Sequence, residues 1–356
     1  MSVTDTVSLE IFLSQLISSG VAPGVVAAVC SAEGEVFSWV GGSREVDPSH
    51  LPMKRETLFD LASLTKVVSV TTLTLLLHER GVLDLNDRIS KFFPDSGNFS
   101  SVRIVDILSH TAGFIAEERL WDILEAPEEV LDYILHTEPL GSPGTYVTYS
   151  CFGFIILGFL LEKVLGISLA EASNNSVFKP LKMEHTLFCP LEQHPQPPAG
   201  YAATERDEKT GSMLRGVVHD ENARFLGGIA GNAGCFSTID DLLKFTQMLL
   251  SQGSTPEGRQ FLSPESIGLF SRALHSGAEE VRSIGYKIIP LATGNPEIGK
   301  CYPYGHTGFT GTSIWIDPIQ QVGAILLSNR VHPSRVERRL IAKREEFYRL
   351  ASALVR

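Results

Sequence analysis

The order of strand and helix signals along the chain predicts an α+β fold. One antiparallel sheet is built from both termini and flanked by terminal helices, with a mainly helical domain inserted between. Three observations carry this. Strand-like runs cluster before residue 60 and again after 283, the stretch between them is mostly helical in pattern, and each end carries a helix signal. The expected division is a sheet domain from 1–60 and 283–356 and a helical domain from 61–282.

The elements follow in order. Ser8 is placed as the cap of a first helix whose apolar residues Leu9, Phe12, Leu13, Leu16 and Ile17 share one face, and Gly20 stops it. Residues 25–30 and 35–40 read as strands joined by the turn "SAEG", a hairpin. From Ser63 to about Arg282 the pattern is helical, with long loops rich in Pro and Gly such as "CPLEQHPQPPAG". Strand signals resume near Gly285 in "IGYKIIP", "TSIWIDP" and "VGAILLSN", and a helical stretch from about Ser334 closes the chain.

Composition narrows the function. The chain has 356 residues, 43% of them hydrophobic, enough for a large core in one large domain or two fused ones. A net charge of −11 argues against a nucleic-acid or anionic-membrane partner. The opening "MSVTDTVSLEIF" shows no basic and then apolar leader pattern, and the apolar run at 67–77 is too short and too rich in Ser and Thr to span a membrane. Five scattered cysteines, with no CxxC pair, fit reduced thiols in a cytoplasmic protein. No cluster has metal-ligand spacing, and no cofactor is implied.

Three short stretches carry candidate chemistry. In "DLASLTKVVSV", Ser63 stands three residues before Lys66 at the head of an apolar run. If a helix begins at Ser63, the two share a face and the serine N–H is a free donor suited to an oxyanion. Equally, serine is a favoured helix cap and lysine a common helix residue. "GTYVTYSCFGFIILG" places Tyr149, Ser150 and Cys151 before an apolar helix, and "YGHTGFTGTSIWIDP" carries His306, Thr307 and Gly308 into a strand. Taken singly, Tyr149 reads as well as a core tyrosine, and the last stretch as a plain turn.

Taken together and in order, Ser-x-x-Lys, Tyr-x-Cys and His-Thr-Gly resemble the three-part signature of the penicillin-recognising serine hydrolases. The branch it resembles holds class C β-lactamases, family VIII carboxylesterases and D-stereospecific peptidases. "GVLDLNDRISKFFP", "DILSHTAGF", "VHDENARFLGGIAGNAGCFSTIDDLLKF" and "LLSNRVHP" extend the resemblance over nearly the whole chain. It implies a β-lactamase/transpeptidase-like fold with the active site between the two domains. It also implies that Ser63 is the nucleophile, Lys66 its proton acceptor or relay, and Tyr149 a partner base with a pKa well below the usual 10. The oxyanion hole would be the backbone N–H groups of Ser63 and Phe309. Cys151, His306, Thr307 and Gly308 would meet the substrate.

Other stretches read as structural. His110 in "SHTAGF" is placed as a buried loop organiser, and His219, Asp220 and Glu221 as a loop whose neighbouring residues point different ways. "GGIAGNAG" fits no phosphate-binding spacing and reads as a tight wall near the cleft. No GxSxG elbow is present.

Two departures from the signature shape the expected substrate. Cys151 replaces the usual Asn, trading an amide for a weak thiol donor and acceptor. His306 replaces the Lys common in β-lactamases and is mostly neutral near pH 7, so the cleft is expected to lack a fixed positive charge. Both point to an esterase acting on neutral esters or amides through an acyl-enzyme. A β-lactamase or D-peptidase is the enzyme alternative, and a catalytically silent binding or assembly module is the alternative of another class.

Overall fold

The computed structural model describes residues 3–193, 197, 199–277, 280–291 and 296–355. Helix α1 (Val3–Ser18) leads into β1 (Gly24–Cys30), β2 (Glu35–Glu45) and β3 (Leu51–Pro52). A small sheet in the order β4-β6-β5 joins β4 (Phe59–Asp60), β5 (Leu187–Phe188) and β6 (Cys235–Ser237). The later strands are β7 (His275–Ser276), β8 (Val281–Arg282), β9 (Lys287–Ile288), β10 (Tyr304–Thr307), β11 (Ser313–Asp317) and β12 (Val322–Ser328). Strands from both ends form one antiparallel sheet of nine in the order β3-β2-β1-β12-β11-β10-β9-β8-β7. Strands from the two ends of the chain meet inside it, where Val25 pairs with Ser328 and Cys30 with Gly323.

β1 is buried along its whole length, and its alternation shows why. Val25, Ala27 and Val29 face a core shared with Leu9, Leu13, Trp315 and Phe347, whereas Val26, Ala28 and Cys30 face Leu242, Phe245 and Ile314. Helix α1 and the closing helix therefore cover one face, and the helix Ile239–Leu250 covers the other. A strand covered on both sides reads as a continuous apolar run, as this one does.

Several boundaries differ from expectation. Ser8 does not cap α1; it lies inside the helix and donates back to the Thr4 carbonyl at 2.8 Å. Asp5 in the first turn favours the earlier start by opposing the helix dipole. β2 runs on past Gly41 and Gly42 to Glu45. Gly42, at φ +76°, lets the strand bend against Pro23, where any Cβ would lie 2.2 Å from the carbonyl oxygen. The sheet resumes at His275, inside the stretch expected to be mainly helical. The closing helix starts at Arg339, because the residues around Arg335 are held in a loop by bonds such as Arg335 N–H to Glu205 at 2.9 Å. Within "CPLEQHPQPPAG", residues 194–196 and 198 lie outside the described residues. Among the described residues no single helix is long and apolar enough to cross a membrane.

Candidate active site

Ser63 is presented by a strained turn at the end of β4. Asp60, wholly buried, accepts from the backbone N–H of Ala62 at 2.8 Å and of His219 at 2.6 Å, and its own carbonyl accepts from Thr310 Oγ1 at 2.8 Å. Held this way, Ala62 takes φ +46°, a left-handed conformation that costs a residue with a side chain on the order of 1–3 kcal/mol. A 3₁₀ turn, Ala62–Leu64, then carries Ser63, and a π-helical turn, Lys66–Thr71, follows.

The expected α-helix starting at Ser63 is thus replaced by a tight turn joined to a wide one. The wide turn is stable because Thr71 and Thr72 donate their hydroxyls to the carbonyls of Lys66 and Val67, both at 2.7 Å. The α-helix proper, Thr72–Glu79, begins only afterwards.

Lys66 is fully buried, with Nζ 3.0 Å from Ser63 Oγ, 3.0 Å from the Asn232 carbonyl and 3.6 Å from Cys151 Sγ. Three acceptors match the three N–H bonds of an ammonium. Burial alone would lower the Lys66 pKa, but the facing Cys151 and Tyr149 outweigh it and hold it above its ordinary value. The Asn232 carbonyl belongs to "GGIAGNAG", so the glycine-rich wall reaches the lysine directly.

Tyr149 and Cys151 sit at the head of the apolar helix Cys151–Leu165, capped by Ser150, whose Oγ accepts from Gly153 N at 3.3 Å. The Lys66 ammonium lies 5.0 Å from the centre of the Tyr149 ring. His110 fixes this stretch from behind. Its Nδ1 accepts the Ser150 N–H at 3.1 Å, its ring lies 4.6 Å from that of Tyr149, and its own carbonyl accepts from Thr148 N at 2.9 Å.

Contrary to expectation, the Tyr149 pKa lies above its ordinary value: burial raises it, and Lys66 and Ser63 offset that only in part. Burial likewise pushes the Cys151 thiol up to about 11, so at neutral pH it is a thiol.

The third stretch forms β10 and the turn into β11. Gly308 packs so tightly that a Cβ there would lie 2.0 Å from Thr312 Oγ1 and 2.5 Å from the Leu61 carbonyl, which explains the glycine. Thr312 Oγ1 donates to that same carbonyl at 3.0 Å, tying the turn to the segment that carries Ser63. His306 Nδ1 faces the Thr307 carbonyl at 3.1 Å, and its Nε2 is buried without a partner. Burial, with Arg282 and Lys66 adding to it, holds His306 well below its usual 6.5, so it is neutral.

These pieces line one cleft of about 510 Å³ that includes Ser63, Tyr149, Cys151, His306, Thr307, Gly308 and Phe309. The structure brings together every site residue expected from the sequence, Lys66 lying just behind Ser63. It corrects the expectation of a cleft without positive charge: Arg282, Lys287, Arg330, Arg335 and Arg344 also line it, beside Glu117, Asp220, Glu221 and Glu280. Those cations are drawn from β8, β9, the loop after β12 and the closing helix. Only Arg330 lies in a stretch that carries the family resemblance, "LLSNRVHP", and nothing in that stretch marks it as facing the cleft. His219, Asp220 and Glu221 point different ways as expected, to Glu205 at 2.9 Å, to the Ala223 N–H at 2.8 Å and to Arg335 at 2.6 Å, yet all three line the cleft.

Comparison with solved structures places this fold. It matches the octameric penicillin-binding protein homologue from Pyrococcus abyssi with a TM-score of 0.76 at 22% identity, covering 99% of this chain and 78% of that one. It matches a class C β-lactamase from Rhodobacter sphaeroides at 0.73 and 19%, covering 96% and 99%. EstCE1, described as a hydrolase with promiscuous acyltransferase activity, matches at 0.76 and 20%, covering 99% and 100%. The architecture is that of the β-lactamase/transpeptidase-like fold.

Sequence goes further. The β-lactamase family profile matches residues 13–346. A Salmonella agona protein with the provisional name D-alanyl-D-alanine carboxypeptidase is 31% identical over 306 residues, 78% of this chain and 70% of its own length. The chain belongs to the β-lactamase family of serine hydrolases.

Proposed function

We propose that the protein is a carboxylic ester hydrolase that works through an acyl-enzyme on Ser63. The observation that carries this is the 3.0 Å approach of Lys66 Nζ to Ser63 Oγ beneath the Tyr149 ring, at the floor of an open cleft. In the reading, the Lys66–Tyr149 pair accepts the serine proton as Oγ attacks the substrate carbonyl. The carbonyl oxygen becomes negative and is met by the backbone N–H groups of Ser63 and Phe309. The pair then passes the proton to the departing alkoxide, and water repeats the cycle on the acyl-enzyme.

An ester fits better than an amide. An alkoxide leaves more readily than an amine, and Cys151 offers no amide to grip a peptide side chain. The ester need not be neutral, because the cleft holds cations.

A second reading, hydrolysis of a peptide ending in D-Ala-D-Ala, is supported by the name of the Salmonella relative and by the cleft arginines. The test is intact-protein mass spectrometry after a fluorophosphonate, with turnover of a 4-nitrophenyl ester and of a D-Ala-D-Ala peptide measured alongside. A single phosphonyl adduct on Ser63, its absence in Ser63→Ala, and faster ester turnover are expected. Full ester turnover by Ser63→Ala would overturn the reading, and a faster peptide reaction would move it to the second.

A further inference from the structure

The cleft holds a second acid–base pair that the reaction as written does not use. His219 lines the cleft with Ser63 and Phe309, and its Nε2 stands 2.9 Å from Glu205 Oε2. Burial would raise the Glu205 carboxyl, but bonds from His219 and Arg335 outweigh it and hold it down at about 2. Glu205 is therefore a carboxylate, which can only accept, so in the neutral ring the proton sits on Nε2. The contacts of the ring nitrogens, to Glu205 and at 3.5 Å to Arg335, both fall on Nε2. Among the described residues nothing donates to Nδ1, which is left as a bare acceptor.

The ring is also placed with respect to the nucleophile. Asp60 accepts the Ala62 N–H through one carboxylate oxygen at 2.8 Å and the His219 N–H through the other at 2.6 Å. One side chain thus sets both the Ser63 turn and the histidine. The imidazole stacks on the Phe309 ring, with centres 5.5 Å apart and planes 25° apart. Phe309 is the residue whose backbone N–H is assigned to the oxyanion hole. A carboxylate, an imidazole in a fixed tautomer and a free ring nitrogen are the parts by which a histidine takes a proton from a nucleophile.

We propose that His219 is the general base of the second half-reaction, taking through Nδ1 a proton from the water that releases the acyl group from Ser63. This rests on the ester reading, since without an acyl-enzyme there is nothing to release. The water oxygen bonds to the acyl carbon as its proton passes to Nδ1, and Glu205 steadies the imidazolium. As the bond from the acyl carbon to Ser63 Oγ breaks, that oxygen takes a proton from Lys66, 3.0 Å away. The imidazolium proton then returns to the lysine through solvent in the open cleft. The cycle is balanced, and the Lys66–Tyr149 pair keeps the first half-reaction.

The test follows 4-nitrophenyl acetate by stopped flow and intact-protein mass spectrometry in the native enzyme, His219→Gln and Glu205→Gln. Glutamine at 219 keeps a donor near Nε2 for Glu205 and offers nothing at Nδ1, and thermal melts check the fold. The 4-nitrophenol burst should remain in His219→Gln, while the steady rate falls about 10²–10³-fold, the worth of a general base, and acetyl-Ser63 accumulates. Hydroxylamine, a nucleophile that needs little help from a base, should speed release far more in this variant than in the native enzyme. Glutamine at 205 can donate to Nε2, which moves the ring proton to Nδ1, so the same step should slow by about tenfold or more with the burst kept.

A burst and a steady rate that fall together would make His219 a support of the Ser63 turn. Unchanged release in both variants would give both half-reactions to the Lys66–Tyr149 pair. Either result overturns the proposal and leaves the hydrolase reading intact. No turnover and no acetyl-Ser63 in any of the three proteins would overturn the ester reading, and the proposal with it.

Discussion

Lys66 and Arg330 are both buried cations of the same site, and they are housed in opposite ways. Around Lys66 the fold supplies one acceptor for each N–H: a serine hydroxyl, a backbone carbonyl and a thiol. Around Arg330 it supplies one carbonyl, an aromatic face and a second arginine, and leaves Nε bare. The lysine on the helical side of the cleft therefore has every N–H matched, whereas the arginine that follows β12 does not. A buried cation with all its bonds made belongs to the working parts of the protein. One with a bond left over carries a desolvation cost that nothing in the fold offsets.

The largest expected effect tests the satisfied side. Lys66→Met should lower kcat by about 10³ or more, since it removes the group closest to the Ser63 proton. It should also destabilise the fold by about 1–3 kcal/mol, because the Asn232 carbonyl loses its donor. Ester kinetics and thermal melts check both; unchanged kcat would mean that Tyr149 acts alone.

Next comes the joint between the two sides. Gly308→Ala forces a methyl group against Thr312 and the Leu61 carbonyl, pushing β10 away from the Ser63 turn. A fall in kcat of roughly 10²–10³ is expected, with KM for a neutral ester changed much less, as for loss of oxyanion geometry. Parallel changes in the two constants would assign the glycine to binding alone.

The third effect is a slope. In the proposed mechanism the active base is the deprotonated form of the Lys66–Tyr149 pair, and Tyr149 is raised above its ordinary value. The fraction in that form therefore grows with pH, and kcat/KM for a neutral ester should climb from about pH 7 to about pH 9.5 without levelling. His306 is held neutral by burial and should add no inflection near pH 6. A plateau below about pH 8 would show that the pair loses its proton more easily than its burial implies.

The smallest effect separates the two cations most cleanly. Where Lys66→Met should destabilise, Arg330→Met should stabilise by about 1 kcal/mol, because it removes an unpaired buried charge repelled by Arg344. A stability loss in both variants would erase the contrast.

How much of this was legible in the sequence depends on how local each feature is. Ser63, Lys66, Tyr149 and the His306–Gly308 stretch are recognisable because spacing along the chain sets their geometry. A continuous apolar run likewise marks β1 and β12, since each is covered on both faces. Asp60 was invisible, because its value lies in joining Ala62, His219 and Thr310, which are far apart in sequence. The cleft arginines were hidden for the same reason. The Tyr149 pKa was misjudged because burial depends on what packs above the ring, and a motif says nothing of that. The start of α1 was missed because Ser8 is as content bonding back to Thr4 as it would be capping.

The π-helical turn after Lys66 has a consequence for length rather than for composition. Such a turn holds one residue more than an α-helical turn, so removing one residue from 67–71 would leave a regular helix with better backbone bonding. The downstream helix is pinned by its buried leucines and would keep its orientation. Everything upstream would then swing by about 100°, the angle one residue occupies, and carry Lys66 off the Asn232 carbonyl. A shortened chain could thus gain regularity and lose its chemistry with no site residue substituted, so gaps in this segment are the first thing to inspect when judging which relatives retain activity.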